Sequence, residues 1–205
     1  MHVLGPGARA VVWVQGCPFK CPGCIVPESW DSAGGYELPI PDLAAWVLAQ
    51  SGLDGLTLSG GEPMAQAEAL AELVSQVRAQ RDLSVMCYTG YRLGDLTHRG
   101  TPDQHALLAL CDILIDGPYI RSQHADLRWR GSRNQRVLAL SPRHSAEVEA
   151  LSAVEGHDHS AGLELTLDDG GLTFAGVPVA SGFRNEFEAR LAARGIRWTA
   201  GEKRP

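Results

Sequence analysis

Short apolar segments alternate along the chain with amphipathic ones, which is the pattern of alternating strands and helices. Residues 10–15 form an apolar, valine-rich run of the kind found in a buried strand. Leu70, Leu73, Val74 and Val77 recur at the spacing of one helix face. Repeated strand–helix units predict a parallel sheet with right-handed crossovers. The predicted strands cover residues 10–15, 55–59, 84–88, 111–115 and 136–140, and the predicted helices begin at Pro41 and Pro63 and cover 103–110 and 185–194.

The pattern becomes weaker beyond residue 117. Leu163, Leu165 and Leu167 alternate with polar residues and are followed by a glycine-containing turn at 169–171, which predicts a β-hairpin. The polar stretch 143–161 is interpreted as a mobile connector, and two tryptophans, Trp13 and Trp46, are expected in the core. We therefore predict an α/β fold in which residues 1–140 form the core. Residues 141–205 are expected to be a C-terminal extension, a hairpin and a helix, packed on the same domain.

Composition and charge narrow the class of protein. The 205 residues are 44% hydrophobic and 20% charged, as in a globular chain, and the net charge of −6 argues against general nucleic-acid binding. No targeting or membrane-spanning segment is visible, so we expect a cytoplasmic protein without a membrane partner. The five cysteines are an odd number without an export signal, which argues against a disulfide framework.

Three of these cysteines lie within eight residues, directly after the first predicted strand. Cys17, Cys21 and Cys24 form a C-x3-C-x2-C array, and thiolates are the usual ligands of iron–sulfur clusters. Three thiolates reach three irons of a cuboidal cluster and leave the fourth iron open to another ligand. A structural zinc site is one alternative, although zinc usually takes four ligands in two separated pairs. An electron-transfer cluster is the other.

A second motif follows the second predicted strand. Ser59, Gly60, Gly61, Glu62 and Pro63 lie where that strand ends and a helix begins. Two glycines let a ligand approach the backbone closely, and Glu62 could accept a hydrogen bond from an ammonium group. An ordinary turn, with an acidic residue near a helix N-terminus, explains the same residues equally well. Tyr88 and Asp116 also follow predicted strands, and in a full or partial α/β barrel these positions share the C-terminal face.

Taken together, these motifs resemble the radical-SAM superfamily and, more narrowly, the activating proteins of anaerobic ribonucleotide reductase. The narrower resemblance is carried in order by residues 13–18, 27–30, 88–91, 112–119 and 130–136. It implies a partial (β/α) barrel of the radical-SAM type that holds a 4Fe-4S cluster on Cys17, Cys21 and Cys24. It also implies an oxidoreductase that reductively cleaves S-adenosylmethionine to a 5′-deoxyadenosyl radical. The residues assigned to cofactor binding are Gly23, Ser59, Gly60, Gly61, Glu62, Tyr88, Asp116 and Arg133.

The resemblance also implies partners, which are a glycyl-radical enzyme and a flavodoxin or ferredoxin-type reductant. Arginines at 121, 128, 130, 133 and 136 are interpreted as a basic docking patch, because complementary charge steers encounter. One departure from the family pattern concerns the residues after the third cysteine, where Ile25 and Val26 replace the usual His and Asn. A stand-alone radical-SAM enzyme acting on a peptide or small molecule and a non-enzymatic cluster or zinc module therefore remain alternatives.

Overall fold

A five-stranded sheet organises the computed structural model, which describes residues 1–152, 159–168 and 171–196. Its strands are β1 (Arg9–Val14), β2 (Gly55–Gly60), β3 (Ser84–Thr89), β4 (Ile113–Asp116) and β7 (Arg136–Ala139). They are arranged in the order β1-β2-β3-β4-β7. The first four strands are parallel, and β7 is antiparallel to β4. The fold is therefore a mixed α/β fold with a largely parallel sheet.

The helices between the parallel strands cover one face of this sheet. They are α1 (Ile40–Ala49), α2 (Ala67–Arg78), α3 (Leu93–Arg99) and α4 (Pro102–Leu110). The α2 residues Leu70, Leu73, Val74 and Val77, which the sequence places on one helix face, are all buried in the core against this side of the sheet. Because β1, β2, β3 and β4 run parallel, the segments that follow them emerge at the same edge of the sheet.

The other face of the sheet, called here the inner face, is covered by the later part of the chain. The residues of β3, β4 and β7 on this face pack with Trp129 and with Val148 and Leu151 of α5 (Ser145–Ser152). Val11 of β1 packs with Leu4 and with Ala175 of β9 (Gly171–Gly176). Residues beyond 140 thus help to bury the inner face and share a hydrophobic core with the strands of the sheet.

The remaining elements are short. Strands β5 (His124–Leu127) and β6 (Arg130–Ser132) pair with each other, β8 (Leu163–Asp168) pairs antiparallel with β9, and α6 (Phe183–Ala192) follows. The predicted turn residues Asp169 and Gly170 lie outside the described residues. None of the helices in the described part of the chain is long and apolar enough to cross a membrane.

Three expectations about elements are wrong. Residues 145–152 of the predicted connector form α5, whose apolar side covers the sheet, while residues 153–158 lie outside the described residues. Trp13 and Trp46 are 44% and 47% exposed, because Trp13 faces outward on the edge strand β1 and Trp46 lies on the open side of α1. The fourth strand begins at Ile113, since Cys111 still closes α4.

Candidate metal and cofactor site

The segment from Cys17 to Cys24, called here the cysteine loop, begins three residues after the end of β1. All three cysteines are free and half-buried. The loop turns back on itself, since the Cys24 N–H donates to the Cys21 carbonyl at 3.0 Å. Gly23 has a φ of 83°, and a side chain there would contact Arg121 and Tyr119 at 3.2 and 3.4 Å. The tight loop therefore needs glycine at this position.

Segments that follow two other strands pack against the cysteine loop. After β3, the ring of Tyr91 meets the ring of Phe19 edge-to-face, with centroids 4.9 Å apart, and Gly90 lies directly against Phe19. After β4, the backbone N–H of Tyr119 lies near the sulfur of Cys21, and the Tyr119 ring lies beside Gly23. The loop is thereby held by the ends of β3 and β4 as well as by its own strand.

The surroundings of the thiols contain hydrogen-bond donors. Burial raises the pKa of the Cys21 thiol, and the Tyr119 N–H acts in the opposite direction. Burial likewise raises the pKa of Cys24, while the Val26 N–H and the Trp30 indole oppose it. Because metal ligands must be deprotonated, loading a cluster here releases protons and is favoured at higher pH.

The indole of Trp30 gives a test of whether the loop suits a cluster. Its Nε1 is buried and finds no hydrogen-bond partner of normal geometry in the described part of the chain, although it is near enough to Cys24 to affect its pKa. A buried unpaired donor is unusual, and a sulfur acceptor beside it would satisfy it. Donors directed at ligand sulfurs are a normal feature of iron–sulfur sites. The residues present therefore fit a thiolate-bound cluster.

A site for a single metal ion is not formed by the described residues. No three His, Cys, Asp or Glu side chains among them are grouped closely enough to hold one ion. A cuboidal cluster makes a different demand, because each thiolate binds its own iron atom. Cys87 and Cys111, the other two cysteines, are buried away from the loop. They lie in the core between the sheet and the helices α1 to α4, called here the helix-side core.

The turn at residues 59–63, called here the GGEP turn, is hydrogen-bonded to the end of β1 and to Gly16, the residue before the cysteine loop. The Gly61 N–H donates to the Val14 carbonyl at 2.7 Å and the Glu62 N–H to the Gly16 carbonyl at 2.9 Å. A side chain on Gly61 would lie 2.3 Å from the Gly16 carbonyl oxygen, so only glycine fits. Within the described residues nothing donates to the Gly61 carbonyl, so this turn offers an acceptor and suits an ammonium group better than a carboxylate.

The carboxylate of Glu62 accepts hydrogen bonds from three groups of the protein. It is 1% exposed and accepts from the Met64 N–H at 2.9 Å, the Thr89 hydroxyl at 2.8 Å and the Gly90 N–H at 2.7 Å. Burial raises its pKa, and the three hydrogen bonds oppose that shift. These three bonds fasten the GGEP turn to the end of β3 and occupy most of the acceptor capacity of the carboxylate.

Asp116 is also occupied within the protein. Its carboxylate is fully buried, accepts from the Leu93 N–H at 2.8 Å and is paired with Arg136, with Arg92 at 3.6 Å. The hydrogen bond and charge of Asp116 raise the pKa of the Arg136 guanidinium above its usual value. Asp116, which the sequence assigns to cofactor binding, therefore ties the start of α3 to β4 and β7.

The other predicted cofactor residues lie in different surroundings. Ser59 stands opposite Trp13 in the register of β1 and β2, next to the GGEP glycines. The Tyr88 ring packs in the inner-face core, and its buried hydroxyl has no hydrogen-bond partner in the described ranges. Burial raises the pKa of this phenol far above its usual value. Arg133 is exposed after β6, where its N–H donates to the Gln123 carbonyl at 2.9 Å.

The predicted basic patch is not one surface. Arg130 is only 9% exposed and donates to the carbonyls of Gln135 and Leu151, so it is part of the interior. Arg128 pairs with Glu147 and lies over the Trp129 ring. Arginine spacing in the sequence could not separate inward-facing from outward-facing positions, because β5 and β6 are too short to show an alternation.

Three residues of the site were not singled out individually from the sequence. Phe19 belongs to the cysteine loop and packs against Tyr91 and Gly90, while Trp30 and Tyr119 lie beside the loop. Trp30 and Tyr119 lie within segments that carry the family resemblance, which is the available signal for them. Phe19 had no signal, since its partner Tyr91 becomes a neighbour only through the fold.

Comparison with known proteins agrees with this geometry. The family model of a 4Fe-4S single cluster domain matches residues 3–138. The anaerobic ribonucleoside-triphosphate reductase-activating protein of Enterobacteria phage T4 is 36% identical over 141 residues, which is 66% of this chain and 86% of the phage protein. The protein of the same name from Vibrio cholerae is 38% identical, over 65% of this chain and 88% of its own length.

A relative with a different name shares a shorter region. The pyruvate formate-lyase-activating enzyme of Clostridium pasteurianum is 36% identical over 99 residues, 45% of this chain and 41% of that enzyme. Residues 3–138, which the family model matches, contain the cysteine loop, the GGEP turn and the strand ends that hold them. The chain therefore belongs to the family of radical-SAM glycyl-radical activases that carry a 4Fe-4S single cluster domain and include the anaerobic ribonucleoside-triphosphate reductase-activating proteins.

Proposed function

We propose that this chain activates a glycyl-radical enzyme such as anaerobic ribonucleotide reductase, using a 4Fe-4S cluster on Cys17, Cys21 and Cys24. The observation that carries the proposal is the hydrogen bonding of the GGEP turn to Val14 and Gly16, the residues that lead directly into the cysteine loop. Two segments of different chemistry, thiols and a free carbonyl acceptor, are thereby held side by side. When bound, such a cluster supplies the electron that cleaves S-adenosylmethionine to methionine and a 5′-deoxyadenosyl radical.

The residues of the chain have separate tasks in this proposal. The three thiolates hold the cluster, and the Gly61 carbonyl accepts a hydrogen bond from the methionyl amine. Glu62 holds that carbonyl in place through its bonds to Thr89 and Gly90. Ser59, Gly60 and Gly23 allow the close approach of the ligand, and Tyr88, Asp116 and Arg133 support the surrounding strand ends.

The architecture and partners belong to the same proposal. Residues 1–140 form a partial barrel of the radical-SAM type, and residues 141–205 extend the same domain. The macromolecular substrate docks over the edge of the sheet where β1 to β4 end, and a flavodoxin or ferredoxin-type protein reduces the cluster in the cytoplasm. Support comes from the names of the relatives, which are activating proteins.

Anaerobic reconstitution tests the proposal. The protein is expected to take up about four irons and four sulfides, to form 5′-deoxyadenosine with dithionite, and to give a glycyl-radical EPR signal on an anaerobic ribonucleotide reductase. Cys17→Ser, Cys21→Ser and Cys24→Ser should each lose all three properties, and Cys87→Ala, which lies in the helix-side core, should keep them. Stoichiometric zinc without iron uptake would refute the cluster. Cleavage without any radical on the partner would favour a stand-alone enzyme.

A further inference from the structure

The C-terminal helix α6 reaches back to the residues that follow Cys24. Arg184, in its first turn, has a side chain that is 14% exposed. Its Nη1 donates to the Ile25 carbonyl at 2.7 Å and forms an ion pair with Glu28. These contacts join residues more than 150 positions apart in the sequence. They tie the C-terminal part of the chain to the segment that leaves the cysteine loop.

The arginine is held in position by its own helix. Its Nε donates to Glu188 one turn further on, at 2.7 Å. Phe183 and Phe187 stack with ring centroids 5.5 Å apart, and Phe174 of β9 meets both rings edge-on. The guanidinium is therefore oriented before any ligand arrives, which reduces the entropy that its contacts cost.

The segment that Arg184 holds carries two groups that act on Cys24. The Val26 N–H lies near the Cys24 sulfur, and the negative charge of Glu28 also acts on it. Ile25, whose carbonyl accepts from Arg184, lies between Cys24 and Val26. A displacement of this short segment would move both the donor and the charge relative to the sulfur.

We propose that Arg184 is a positioning residue for the cluster, which fixes the 25–28 segment and neutralises Glu28 and thereby raises the reduction potential. The inference rests on the proposed function in requiring a cluster on Cys24. Arg184 lies outside residues 3–138, which the family model matches, so this control belongs to the C-terminal extension.

The direction of the effect follows from electrostatics. The potential of an iron–sulfur cluster depends on nearby charge and on hydrogen bonds to its sulfurs. Removing the arginine leaves the Glu28 carboxylate uncompensated, which disfavours adding an electron. Removing the carboxylate leaves the positive charge of the arginine in excess, which favours adding an electron. The two variants should therefore shift the potential in opposite directions.

The first experiment is an EPR-monitored redox titration of the reconstituted full chain. Arg184→Met should have a more negative midpoint potential than wild type, Glu28→Gln a more positive one, and Arg184→Lys should restore most of the wild-type value. The matched control is Arg190→Met on the same helix, whose guanidinium pairs with Glu186 and is 72% exposed. The inference is overturned if Arg184→Met and Arg190→Met have the same potential.

The second experiment uses hydrogen exchange in the metal-free protein. The Ser29 and Trp30 amides donate to the carbonyls of Val26 and Pro27. Their exchange rates should be several-fold higher in Arg184→Met than in wild type, and the same as wild type in Arg190→Met. Equal exchange in all three proteins would overturn the positioning role. This measurement needs no cluster, so a wild-type protein that takes up no iron would refute the proposed function and still leave Arg184 testable.

Discussion

Most polar groups of the site are hydrogen-bonded to one another. The groups that have no such partner therefore decide what the site can bind. The GGEP turn uses its N–H groups on the β1 strand end and its carboxylate on the β3 strand end. Buried polar groups are satisfied in this way in nearly all folded proteins. The Gly61 carbonyl and the Trp30 indole have no protein partner in the described ranges and remain available to a ligand.

The carboxylate of Glu62 leads to a prediction about stability and pH. Glu62→Gln places an amide N–H against the Gly90 N–H, so we expect it to cost about 1–3 kcal/mol of the free energy of unfolding. Because folding raises the pKa above 4.5, the carboxyl stabilises the wild type most below pH 4.5, and this contribution is lost as the pH rises through the folded-state pKa.

Chemical denaturation of the metal-free proteins over a pH series measures this. The stability difference between wild type and variant should become smaller as the pH rises through that window. A difference that grows with pH would mean that the three hydrogen bonds outweigh burial and lower the pKa.

The indole of Trp30 leads to a prediction about the cluster. Trp30→Phe keeps an aromatic ring but removes the buried N–H beside Cys24, so a reconstituted variant should keep its iron and have a more negative reduction potential. Trp46→Phe, at a 47% exposed position on α1, is the control. Identical potentials, measured by the same EPR titration, would show that the indole does not donate to the sulfur.

Secondary-structure elements were predictable where they are long and periodic. The strands β1, β2, β3 and β7 start or end within one residue of the predicted positions, because each buries apolar residues. The α3 helix and the strands β5 and β6 were missed, since segments of seven, four and three residues are too short to establish a period. Helix α5 was missed because its few apolar residues become a face only against the sheet.

At the scale of the whole molecule, residues after 140 contribute to the core on the inner face of the sheet. Met86, Ile113 and Ile115 are buried there with Val148 and Leu151. Burying each such side chain contributes about 1.5–3 kcal/mol, and a typical domain is stable by only about 5–15 kcal/mol.

We therefore expect a chain ending at Leu140 to lose cooperative thermal unfolding and to bind a hydrophobic dye. The full chain is the control and should unfold in one cooperative transition. A sharp calorimetric transition for the shorter chain would show instead that residues 1–140 fold independently.

The sequence by itself determined the local features of this protein. The spacing of Cys17, Cys21 and Cys24, the glycines of the GGEP turn and the helix and strand periods depend on neighbouring residues, so a single sequence displays them. Only the tertiary structure decided which polar groups are left for a ligand. The partners of Glu62, Asp116 and Arg184 come from distant segments, and pairings across 20 to more than 150 residues leave no pattern in the chain. Cofactor chemistry was therefore predictable, while the hydrogen bonds and charges that adjust it were not.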